Sequence, residues 1–132
     1  MYHGSDAISI IHEQVKHSHS VRTIFSAQVA QEFLSAATIV AMHEAHKEKH
    51  VNKKVLLLED PLATSEQQRL QQLGFAVKIC NIAFPLHADL MILDHKVFFV
   101  SYAERIQAIE IVQPLFVQAQ RAVFDNTRDH TA

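Results

Sequence analysis

The sequence predicts an α/β domain built on a mixed sheet, and three observations carry that prediction. Between residues 21 and 80, short apolar runs alternate with helical patterns, which implies parallel strands joined by right-handed crossovers. From 89 to 112, three further strand patterns follow with no helix between them, as in a β-meander. Only 2 Gly and 3 Pro occur among 132 residues, so regular elements are long and tight turns are few. The length suits one domain with one core, and neither an internal repeat nor a linker interrupts it.

The elements follow in order. Segment 5–17, SDAISIIHEQVKH, sets Ile8, Ile11 and Val15 at helical spacing, with Ser5 as its capping residue after Gly4. VRTIFS (21–26) alternates apolar and polar residues and predicts a strand. One long helix is expected over 29–49. Its first half, VAQEFLSAATIVAM, is apolar enough to be buried, and its second half, HEAHKEKH, is expected in solvent. KKVLLLED (53–60) is a continuous apolar run closed by acids and Pro61, as in a strand buried on both faces. A short helix over 64–74 has Thr64 or Ser65 as its cap and Gly74 as its stop. FAVKIC (75–80) is the next strand. DLMILD (89–94) and KVFFVS (96–101) form a hairpin turning at Asp94–His95–Lys96, and QAIEIV (107–112) adds a strand. Pro114 then opens a helix at its favoured first position, with Phe116, Ala119, Val123 and Phe124 expected to share its inner face.

Composition narrows the function. The chain is 48% hydrophobic and 20% charged, as expected of a soluble globular protein. A net charge of −2 provides no basic footprint for nucleic acid. The single Cys80 excludes an internal disulfide and is expected as a buried strand residue. No stretch is apolar over the roughly 18 residues a membrane span needs, and the opening MYHGSDAISIIHEQ is not a secretory signal. A cytoplasmic location without membrane contact is therefore expected.

One stretch carries the outline of a catalytic motif. His87, Asp89 and Asp94 in FPLHADLMILDHKVFFVS stand at the spacing of His-x-Lys-x4-Asp, with Asp89 in the place of Lys and Ser101 seven residues past Asp94. A carboxylate there repels phosphate, whereas transfer of a phosphoryl group depends on cationic stabilisation. With one copy and no lysine, the motif reads as degenerate: His87 ends a loop and Asp94 makes the hairpin turn. A Ser101–His87–Asp94 triad lacks a nucleophile elbow.

At these residues the chain resembles the phospholipase D-like fold, and over nearly its whole length it resembles the regulatory domain of TrmB-like transcription regulators. The opening MYHGSDAISIIHEQVKHSHSVRTIFS is similar to that family's aromatic–x–Gly start, first helix and first strand. NKKVLLLED and LGFAVKIC take the places of the second and third strands, and DLMILDHKVFFVSYAERIQAIEIVQPLFVQAQRAVFDNTRD resembles its remaining strands and last helix. Where the family often continues to Trp, Asn126–Thr127 follow Phe124–Asp125 here, and no Trp occurs. The resemblance implies a single lobe with helices on both faces, 1–132 being one regulatory domain without its winged helix. It implies a non-enzymatic domain for effector sensing and homodimerisation, with DNA contacted only through another domain. The alternative is a single-lobe phosphodiesterase or nuclease acting as a dimer through paired His87.

Three further groups are candidates. Parallel sheets bind ligands beyond the carboxyl ends of their strands. Ser26, Gln28, Glu59, Asp60 and Asn81, with His87 nearby, could bond a hydroxylated effector such as a sugar, or could simply cap helices. His43, His46 and His50 lie along one helical face, and the i, i+4 pair His46–His50 could clamp a metal with Glu44 as the close third ligand. Lys47, Glu48 and Lys49 around them favour a solvated helix end, so no metal or other cofactor is expected. Phe98 and Phe99 in the hairpin are expected at a dimer interface unless a helix covers each face of the sheet.

Overall fold

The computed structural model describes residues 1–85 and 87–131. Its elements are β1 (Tyr2–His3), α1 (Gly4–Lys16), β2 (Ser20–Phe25), α2 (Ala27–Phe33), α3 (Ala36–Glu48) and β3 (Asn52–Leu58). α4 (Ala63–Gln72), β4 (Ala76–Cys80), β5 (Ala88–Ile92), β6 (Val97–Ser101), β7 (Gln107–Ile111) and α5 (Pro114–Asp129) follow. The strands form one mixed sheet in the order β1-β7-β6-β5-β2-β3-β4. β2, β3 and β4 are parallel, as the alternating pattern requires. The meander joins antiparallel to β2 through β5, with Thr23 opposite Met91. β1, two residues long and not foreseen, pairs antiparallel with β7.

Strand alternation sorts side chains onto two faces. Val21, Phe25, Val55, Leu57, Val77, Phe98 and Val100 face α1, α2, α3 and α4. Ile24, Leu56, Leu58, Cys80, Ile92 and Val97 face α5, through its Val117 and Phe124. Val55, Leu56, Leu57 and Leu58 are all buried, so β3 is covered on both faces as its unbroken apolar run predicts. Cys80 is a buried free thiol, pushed up in pKa by burial.

Helix ends explain several departures. α1 starts at Gly4, with His3 at the capping position and no side-chain cap. The Ser5 side chain lies outside the described residues. α4 starts at Ala63, not at Thr64 or Ser65, and the Ser65 hydroxyl donates back to the Leu62 carbonyl. Gly74 ends it as expected: at φ +89 it occupies the left-handed region, where a side chain is strained.

The helix expected over 29–49 is two helices. Leu34 is extended, and Ser35 accepts a hydrogen bond from the Thr38 N–H, capping α3. The break also inverts the expected burial. Ala36, Ala37 and Thr38 are exposed, while His43 and His46, expected in solvent, are buried. α5 shows a smaller rotation: Val117 and Phe124 are buried, whereas Phe116, Ala119 and Val123 are exposed.

Candidate functional site

The residues at the strand ends mostly hold one another. The Ser26 hydroxyl donates to Asp60 Oδ2 at 2.7 Å and accepts from the Val29 N–H, capping α2. Asp60 also accepts from the backbone of Leu62 at 2.8 Å and of Gln28 at 3.4 Å. Two helix starts thus share one carboxylate. Glu59, Asn81, Gln28 and His87 are exposed. Asp60→Ala is expected to cost about 1–3 kcal/mol, because it strands three donors at once; urea denaturation against the wild type measures it.

The motif residues do not assemble. His87 is exposed just before β5, and its carbonyl accepts from the Tyr102 N–H. Asp94 lies beyond the other end of β5. There its carboxylate accepts from the His19 and Ser20 N–H groups at 2.7 and 3.1 Å. Burial pushes Asp94 up, but these two donors outweigh it and hold the carboxyl below its ordinary value. Asp89 points inward. It is buried, accepts from the Tyr102 hydroxyl at 2.7 Å, and burial pushes its pKa up to about 7 despite that bond. Ser101 touches neither His87 nor Asp94 by hydrogen bond.

The buried polar centre lies on the helical side of the sheet. Lys53 heads β3 and shares a face with Val55 and Leu57, so its amine is carried into the core. Its Nζ lies 2.8 Å from His43 Nδ1 and 2.9 Å from His46 Nδ1. His46 Nε2 lies 2.9 Å from His12 Nδ1 on α1. A charged lysine only donates. While Lys53 is charged, both Nδ1 atoms accept from it, His46 carries its proton on Nε2, and that proton is donated to His12 Nδ1. The centre is a directed chain from Lys53 through His46 to His12. Burial first, then the charge of Lys53, pushes His43 and His46 down to about 2, which keeps both imidazoles neutral. Burial pushes Lys53 itself down to about 7, partly countered by Glu66. Glu66 on α4 is also buried and pushed up by burial. The Lys53 amine sits 4.9 Å from the centre of the Phe75 ring.

This corrects the metal candidates. His43 and His46 converge, but on a lysine, while His50 is exposed beyond the end of α3 with φ 58. Among the described residues no three His, Cys, Asp or Glu side chains are placed to hold a metal ion. His12 and Lys53 were not foreseen. Each had a signal: His12 shares the helical face of Ile8 and Val15, and Lys53 keeps strand alternation with Val55 and Leu57.

Beside this centre is a cavity of about 80 Å³. Its walls are mainly Ile8, Ile11, Val15, Ile39, Met42 and Met91 from α1, α3 and β5. Its polar groups are His12, His43, His46, Lys53, Thr23, Asp89 and Tyr102. The Thr23 hydroxyl is buried there without a hydrogen-bond partner.

Phe98 also moves. It is wholly buried on the α1 side, against Tyr2, and so cannot form part of a subunit interface. Phe99 lies on the other face, between Leu90 and Ile109, where α5 leaves Ile109 44% exposed.

No family model matches the sequence, and no curated protein matches it. Solved structures do. The chain is similar to TrmBL2, an archaeal chromatin protein with a novel mode of DNA binding, at 13% identity and a TM-score of 0.66. That likeness covers 99% of this chain and 52% of TrmBL2, so the chain spans about half the length of its relative. It is also similar to polyphosphate kinase from Porphyromonas gingivalis at 10% identity and a TM-score of 0.60, over 92% of this chain and 21% of the kinase. No described helix is long and apolar enough to cross a membrane. With a seven-stranded mixed sheet, helices on both faces and a closing helix, the chain has the phospholipase D-like fold, in the form shared with TrmBL2.

Proposed function

We propose that the chain is the effector-sensing, self-associating domain of a transcription regulator, and that its effector occupies the cavity between the sheet, α1 and α3. The observation that carries this reading is an apolar cavity bordered by a buried lysine amine, three imidazoles and an unpartnered hydroxyl. Packed cores do not keep such groups beside a void without cause. The inward turn of Asp89, hydrogen-bonded to Tyr102, weighs against phosphodiester chemistry at the motif. A net charge of −2 leaves DNA contact to other parts of such a regulator.

The opposite face supports self-association through a second copy. Leu90, Phe99 and Ile109 stand side by side across three strands, and Val112, Leu115 and Phe116 are exposed near the start of α5. β5 links the two regions. Asp89 lines the cavity, and the next residue, Leu90, points to the apolar face. An occupant that prefers one position of β5 therefore biases the pairing of subunits.

Propan-1-ol, a neutral probe on the scale of the cavity of about 80 Å³, tests the reading. It is expected to raise the melting temperature of the wild type. It should have no effect on an Ala30→Phe variant, in which the new ring fills the void. Equal shifts in both proteins would place the probe elsewhere and sink the reading.

A further inference from the structure

The cavity has a chemical bias that reaches beyond sensing in general. Lys53 is fully buried, and none of the ion pairs among the described residues engages it. Its hydrogen-bond partners are two neutral acceptors, His43 and His46. Buried charges are normally paired, because transfer out of water is costly without a counter-charge. Glu66, whose charge partly counters the effect of burial on Lys53, is itself pushed up by burial and pairs with Arg69 at 3.7 Å, and its Oε1 has no hydrogen-bond partner. The Lys53 amine therefore borders an unfilled apolar space with no anion bonded to it.

We propose that the cavity takes a small monocarboxylate with an apolar body. Its carboxylate is drawn to Lys53 and the neighbouring His46, and its body packs against Ile8, Ile11, Ile39 and Met42. This rests on the reading of the cavity as the effector site and names the class of effector.

Competing classes fit less well. A sugar brings several hydroxyls, each needing a partner, and aliphatic walls supply none. A phosphate dianion needs more than one cation, and the histidines here are held neutral. A monocarboxylate carries one charge, matches one lysine, and buries its remaining surface against the walls. The Thr23 hydroxyl, buried and unpartnered, offers one more donor to a 2-oxo or 2-hydroxy substituent.

Binding of an anion beside Lys53 also has a proton signature. Around Lys53 stand His43 and His46 from α3, His12 from α1 and Glu66 from α4; Lys16 and Arg69 act on those histidines, and Asp89 on β5 borders the same cavity. Burial leaves the amine largely neutral at pH 8. A carboxylate restores its charge, so binding takes up as much as about one proton.

The test is calorimetric titration of the full chain with propanoate, propan-1-ol and glycerol at pH 8, in two buffers of different ionisation enthalpy. Propanoate is expected to bind at least about tenfold more tightly than propan-1-ol, with proton uptake. Lys53→Met is expected to lose the preference for propanoate while still binding propan-1-ol. The proton count on the wild type stands even if that variant does not fold. Propan-1-ol binding as tightly as propanoate, propanoate binding without proton uptake, or glycerol binding in their place overturns the carboxylate class and leaves the cavity as an effector site. Failure of all three probes to bind removes both.

Discussion

Phe98→Ala is expected to lower the free energy of unfolding by about 3–5 kcal/mol, whereas Phe99→Ser lowers it by far less and instead weakens self-association. The two residues are neighbours on β6, and strand alternation sends them to opposite faces. Phe98 is wholly buried, packs near Tyr2 at 6.5 Å between ring centres, and belongs to the cluster with Ile8, Ile11 and Val100. Truncation leaves a cavity that α1 cannot follow into, so the full transfer and cavity penalties apply. Phe99 is half-buried beside an exposed Ile109. Its ring is already partly in water, so its loss costs the monomer little. Urea denaturation and sedimentation equilibrium, both at one protein concentration, separate the two effects. A Phe99→Ser protein with the same mass in solution as the wild type would falsify the assignment of this face to a second copy.

The same pair shows what the sequence could and could not reveal. VFFV announces a strand with two aromatic faces, but not which face a helix covers. That depends on α1 and α5, whose sequence separation from β6 exceeds anything periodicity can report. β3 was legible because a short apolar run closed by acids and Pro61 fits a strand covered on both sides. The break at Leu34–Ser35 was not. AATIVAM continues the apolar count of the preceding helix, yet its alanines lose little by facing water, so hydrophobicity alone did not locate the buried side.

The site was legible in pieces. His43 and His46 were visible as an i, i+3 pair, but Lys47, Glu48 and Lys49 around them pointed to solvent. In the fold the helix rotates those three outward and the two imidazoles inward. What draws them in is Lys53, at the head of the next strand, where alternation forces its amine to the same side. His12 joins from α1, 34 residues before His46. No local pattern connects the three elements; the sheet order and the packing of α1 on α3 do.

Between about pH 7.5 and 9 the wild type is expected to gain stability, by roughly 1.4 kcal/mol per pH unit at most, and Lys53→Met is expected to lose that gain. The sign follows from the protons bound. Burial pushes the folded pKa of Lys53 down to about 7 from an ordinary value of 10.5. Between those values the unfolded chain holds a proton on Lys53 and the folded chain largely does not, so unfolding takes up a proton and is disfavoured as pH rises. Below about 7 both states hold the proton and the native state carries the whole cost of a buried charge. Few other groups titrate in the window. Asp89, raised to about 7, has its unfavourable contribution growing from its unfolded value of 3.8 up to about 7 and then level. His43 and His46, lowered to about 2, act only below their ordinary 6.5. Tyr102 and Cys80 are both raised by burial, so the folded state keeps protons that the unfolded state loses; that favours folding less as pH approaches 9 and beyond, and ends the gain. Urea denaturation at pH 7, 8 and 9 reads the slope directly. A wild-type slope no steeper than that of Lys53→Met means that Lys53 keeps its proton in the fold, and that a counter-charge already lies within its reach.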